Sequence, residues 1–247
     1  EVTSPIVTDV YGLEAEMLAM GWRLPGASDL KTAAIAEIAS SILSNGRAGL
    51  IDIDVNQQQK ALYLSAGANM RPDYGMFIVM GRPKQGQTME QLKDISLEEI
   101  AKLRAGDFDE ALISATVNNI KLARMRSLEN NSSRAQQYVD AFINGVDWKD
   151  AARELERYEA VTKDDVVAFA KKYLADNSCA IVYKRQGEDK EVQKIAAPKI
   201  TPIVTNRDNQ SAFLKEIQAT KVKPVAPVFV NFSKDMSAES LTDGVNL

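Results

Sequence analysis

Residues 14–46 read EAEMLAMGWRLPGASDLKTAAIAEIASSILSNG, and the change of period inside this stretch decides the fold. Up to Pro25 the apolar side chains alternate, which places Leu18, Met20, Trp22 and Leu24 on one face of a half-buried strand. Pro25-Gly26 ends it. Ser28 and Asp29 then offer side-chain oxygens to the start of a helix whose apolar stripe is Leu30, Ala34, Ile38 and Ile42. Asn45-Gly46 is a natural stop for that helix.

Working outward, ALYLSAGANM (residues 61–70) alternates again, with Leu62, Leu64, Ala66, Ala68 and Met70 on one side. Arg71-Pro72-Asp73 turns the chain into a second alternating run, YGMFIVMGR, so the two runs should form a hairpin. From Thr88 to about Leu174 the pattern is helical almost without pause. Thr88-x-x-Gln91, Asp107-x-x-Glu110 and Thr162-x-x-Asp165 sit at expected helix starts, and Gly106 and Gly145 at expected ends. SCAIVYK, residues 178–184, reads as a last apolar strand. The order strand, helix, hairpin, helices, strand predicts an α+β domain: an antiparallel-rich mixed sheet covered on one face by helices. Residues 185–247 hold four of the eight prolines and lose periodicity, so residues 1–184 are expected to form the domain and 185–247 an extended inter-domain linker.

Composition narrows the chemistry. The formal net charge is −4 with both signs interspersed, which does not make a nucleic-acid footprint. No apolar run reaches the ~20 residues needed to span a bilayer. There is no histidine, so imidazole is absent as base, shuttle or metal ligand. The chain opens at Glu1 without an initiator methionine and reads as a segment of a longer protein.

The candidate groups are sparse. Asp52 and Asp54 are hard oxygen donors, but two acids without further ligands read as a solvated helix face and not as a metal site. Glu98-Glu99 and Asp164-Asp165 fit first helical turns, where negative charge suits the dipole. The lone Cys179 lies in an apolar strand and reads as a buried small side chain. Serines are plentiful, yet without histidine no conventional triad can form. Tyr63 lies opposite the aliphatic face of its strand, exposed or turned toward a partner surface.

One resemblance organises these observations. LAMGWRLPGASDLKTAAIAEIASSILSNGRAGLIDIDVNQQQKALYLSAGA (residues 18–68) resembles the second structural domain of pitrilysin/insulinase-type (M16) zinc metallopeptidases. There a strand and helix are followed by a Gly-Ser turn and later by Leu-Ala-Tyr-Ser-Val. Asn45-Gly46-Arg47-Ala48-Gly49 takes the place of the turn and Tyr63 that of the family tyrosine. YEAVTKDDVVAFAKKYLADNSCAIVYK (residues 158–184) resembles the family's closing helix and strand. LIDIDV alternates like a strand, but the family has a short helix there, and the resemblance makes it helical.

The resemblance implies a role. In these peptidases zinc is held on a preceding sister domain, so no cofactor is expected in this chain, no catalytic or metal residue, and no activity in it alone. Where active second halves place a substrate-contacting arginine seven residues before the tyrosine, this chain has Asn56. Tyr63 and Asn56 are therefore the substrate-contact candidates. The expected partners are sister domains of the same polypeptide, a peptide substrate in the parent and, for the isolated domain, a second copy. The implied function is a structural, chamber-lining domain of a zinc endopeptidase; the alternative is a domain of an inactive relative acting in binding or assembly. The compartment is left unassigned, with a lean toward the bacterial periplasm or another extracytoplasmic setting for the parent.

Overall fold

A computed structural model describes residues 4–188. β1 (Ile6–Gly12) and β2 (Met17–Pro25) are followed by α1 (Leu30–Leu43), then β3 (Tyr63–Asn69) and β4 (Tyr74–Arg82). Six helices come next: α2 (Met89–Ala105), α3 (Ala111–Ser127), α4 (Asn131–Ile143), α5 (Trp148–Ala152), α6 (Glu154–Glu159) and α7 (Lys163–Tyr173). β5 (Cys179–Gln186) closes the sheet, whose order is β1-β5-β2-β4-β3. All pairings are antiparallel except β1 with β5, so the mixed, antiparallel-rich sheet is the one the periodicity called for.

The alternation in β2 becomes the core. Leu18, Met20, Trp22 and Leu24 are all buried, and they meet Ala34, Ile38 and Ile42 of α1, Phe77 and Val79 of β4, and Val166 and Phe169 of α7. The Trp22 indole N–H donates to the Ala175 carbonyl at 2.9 Å, so its one polar atom is satisfied without leaving the core. Among the described residues no helix covers the opposite sheet face, where Met76 and Met80 of β4 stand half exposed.

Local chemistry sets most helix ends. Thr88 and Gln91 form a reciprocal capping box at α2, and Thr162 and Asp165 form another at α7. Gly106 closes α2 at φ 72°, a left-handed conformation that suits glycine. The expected box at Asp107 and Glu110 does not form. α3 begins three residues later than that box would set it, at Ala111, whose N–H is met by Asp109.

Several other expectations change. No periodicity in the sequence marks β1, because its side chains are almost all exposed and it carries no buried alternation. It is held by parallel pairing to β5 and by an Arg185–Asp9 ion pair. α1 ends at Leu43, just short of Asn45-Gly46. Leu62 does not join the buried row of β3; it precedes the strand and is 68% exposed. Glu98 and Glu99 lie in the middle of α2, not its first turn. β5 runs to Gln186, which draws the first two residues of the expected linker into the sheet, and residues 189–247 of that linker lie outside the described residues.

Trp22→Ala should lower unfolding stability by about 3–5 kcal/mol, measured by urea denaturation. A loss under 1 kcal/mol would show that the sheet–helix core is not organised around this side chain.

Candidate functional site

The segment joining α1 to β3 holds both substrate-contact candidates, and a buried carboxylate shapes it. Asp52 Oδ2 accepts the main-chain N–H groups of Asn45 at 2.8 Å, Gly46 at 2.8 Å and Gly49 at 3.1 Å. Oδ1 accepts from the Ser44 hydroxyl. Asn45 adds a local turn, its side-chain oxygen accepting from the N–H groups of Arg47 and Ala48. Gly46 has φ 81°, and a Cβ on Gly49 would lie 2.5 Å from the Leu43 carbonyl oxygen, so this loop requires glycine at both positions.

These contacts correct the solvated-face reading of the two aspartates. Asp52 is buried, with its charge met by main-chain donors. Asp54 pairs with Lys102 of α2 at 2.7 Å. The intervening chain is helical, as the resemblance implied, and Asp52–Asn56 forms a π-helical turn.

Asn56 ends that turn, and its amide is taken up by the sheet. Nδ2 donates to the Leu64 carbonyl at 2.8 Å, and Oδ1 accepts the Leu64 N–H at 2.9 Å. The side chain thus takes the place of a neighbouring strand at one residue of β3, an edge of the sheet. Tyr63, one residue earlier, is 52% exposed. Both residues line a cleft of about 450 Å³ together with Ser44, Gly46 and Leu62. Tyr63 has its hydroxyl free for a ligand, with no hydrogen bond among the described residues, while Asn56 is committed to Leu64.

A second buried acid reads in the sequence as an ordinary helix charge. Glu99 of α2 is 2% exposed; Oε1 accepts from Lys102 at 2.8 Å, and Oε2 has no partner among the described residues. Burial pushes its carboxyl up from the ordinary range, against the pull of Lys102. Cys179 is buried, and burial raises its thiol as well, in keeping with a packing role. Elsewhere a cavity of about 600 Å³ lies between α1, β3 and the α3–α6 helices, where the Tyr158 hydroxyl donates to Glu37.

The donor set does not fit zinc. Among the described residues no three His, Cys, Asp or Glu side chains come together to hold a metal ion, and the sequence offers no histidine. Among the same residues no helix is long and apolar enough to cross a membrane.

Comparison with known proteins fits this picture of a peptidase-like fold without its metal ligands. A family model described as the peptidase M16 inactive domain matches residues 3–120, from β1 into α3. A protease from Helicobacter pylori has the same fold at a TM-score of 0.69 and 17% identity, over 74% of this chain and 44% of that one. The inactive peptidase domain of a candidate zinc protease from Bordetella parapertussis gives 0.61 and 16%, over 73% of this chain and 96% of that one. A chain of complex III2 from Candida albicans gives 0.60 and 14%, over 74% and 45%. No curated protein sequence matches significantly. Residues 3–120 are thus similar to the M16 inactive domain, and the chain spans 44% of the length of the Helicobacter pylori protease, whose fold it shares.

Two substitutions check this geometry. Asp52→Ala leaves buried N–H groups without an acceptor and should cost about 3 kcal/mol, with Asp52→Asn roughly half as damaging. Hydrogen exchange at Asn45, Gly46 and Gly49 should accelerate in both, and unchanged protection would refute the role of the carboxylate. For Glu99 the sign follows from its raised folded-state pKa: the stability it contributes is present in acid and lost as pH rises above 4.5, the ordinary value. Chemical denaturation across pH should therefore show Glu99→Gln gaining on the wild type as pH increases, and a pH-independent difference would contradict the burial argument.

Proposed function

We propose that this chain is a non-catalytic domain of a zinc metalloendopeptidase of the M16 family, lining the chamber in which a partly unfolded peptide is held. The observation that carries the reading is Tyr63, half exposed over an open cleft, on a peptidase-like fold whose described residues bring no three metal donors together. Zinc, in this reading, belongs to a sister domain of the parent and supplies the activated water there. The present domain braces that sister domain, the sheet face around Met76 and Met80 serving as packing surface.

Tyr63 in this reading touches or shapes the bound peptide without stabilising the transition state. The family's arginine position is Asn56, whose neutral, short amide is already bonded to Leu64 and cannot replace a guanidinium. A second reading, an inactive relative acting in assembly, draws support from the fold likeness to a chain of complex III2. It predicts a parent without peptidase activity.

Tyr63→Phe in the full-length parent should change kcat/KM by less than about tenfold, or ~1.4 kcal/mol. Loss of an oxyanion donor typically costs ~10² to 10³, and a drop of that size with fold and zinc content intact would place this domain in the catalytic half. A full-length parent that neither retains zinc nor cleaves peptides would favour the assembly reading.

A further inference from the structure

A different surface carries an inference that stands whether or not the parent hydrolyses peptides. A cleft of about 540 Å³ runs between the Asn45–Gly49 loop and α3. Leu112, Ala115 and Leu122 of α3 form an apolar wall, and Asn119 adds an amide. Leu122 is 47% exposed, so the wall has no cover among the described residues. Arg47, from the loop, and Arg126, from the last turn of α3, also line the cleft.

The charge of this cleft is one-sided. No aspartate or glutamate lines it, although acids outnumber Lys and Arg by 34 to 30 in the chain. Arg47 and Arg126, like several other arginines, enter no ion pair among the described residues, and they are the two cations that line this cleft. Asp52, the nearest acid in sequence to Arg47, faces inward with its oxygens held by loop amides. Arg126 has a partial role in complementing the helix dipole; Arg47 has none. The main chain of Arg47 is fixed at both ends, its N–H donating to Asn45 Oδ1 and its carbonyl accepting from Gln57 Nε2. The cation is thus presented from a held backbone, which lowers the ordering cost of using it.

We infer that the cleft between the Asn45–Gly49 loop and α3 binds an acidic peptide segment. One carboxylate of the segment meets Arg47 and Arg126, and a neighbouring aliphatic side chain lies on Leu112, Ala115 and Leu122. Guanidinium groups suit this task because their planar donors match a carboxylate, and the apolar wall adds a contact that a free anion cannot make.

The test uses the full chain and fluorescein-labelled unstructured decapeptides that differ only at two positions flanking one leucine: Glu, Gln or Lys. Fluorescence anisotropy at low and moderate salt should show the Glu peptide binding at least tenfold more tightly than the Gln peptide, with the difference shrinking as salt rises. Arg47→Ala with Arg126→Ala should reduce the Glu peptide to the level of the Gln peptide. Arg82→Ala, which leaves the cleft untouched, should change nothing. Arg47→Glu with Arg126→Glu should transfer the preference to the Lys peptide, a gain that misfolding cannot produce. Equal affinity for the Glu and Gln peptides would overturn the inference, as would unchanged binding by the double alanine variant. Tighter binding of a single-stranded oligonucleotide than of the Glu peptide would overturn it too.

Discussion

The Asp52 carboxylate draws the N–H groups of Asn45, Gly46 and Gly49 onto itself, and the whole passage from α1 to the hairpin follows from that contact. A loop whose amides turned outward would need water or a ligand to satisfy them. Here the chain satisfies them from within, one turn later in its own sequence. With the loop closed, the π-helical turn delivers Asn56 to the edge of β3, where it pairs with both main-chain groups of Leu64. The placement of Tyr63 is a consequence of these two links, since it is the residue next to the one that Asn56 holds.

Much of this fold was legible because its signals are local and periodic. The rows Leu18–Leu24 and Ala34–Ile42 become core, and the two threonine capping motifs form as their spacing requires. The misses share a cause. β1 pairs with β5 across most of the described chain and shows almost no buried side chains, so no local pattern announces it. Asp52 and Glu99 look like surface acids because charge in a sequence does not reveal burial, even though the loop amides around one and Lys102 beside the other are near neighbours in sequence. The candidate site was half readable. Tyr63 was placed on the outward side of its strand, but the bonding of Asn56 to Leu64 depends on a π turn that alternation alone would have made a strand.

The domain keeps an architecture shared with peptidases while its own described residues assemble no metal donors. A sheet with one helix-covered face needs no catalytic group to be stable; its core is set by β2, α1, β4 and α7. What function such a domain has must lie on surfaces. Two clefts here are lined by residues of one loop, the first also holding Tyr63 and the second Arg47 and Arg126. The same closed loop therefore shapes both.

Gly49 has a bearing on how distant relatives can be compared. A side chain there would collide with the Leu43 carbonyl, the neighbour being main chain that cannot rotate aside. At identities of 16–17% to the solved structures, register along α1 and the turn is easily lost by one or two positions. Any relative that closes its loop in this manner must carry glycine at this point with an acid three residues on. That pair gives a fixed reference for superposing sequences where most other positions have drifted.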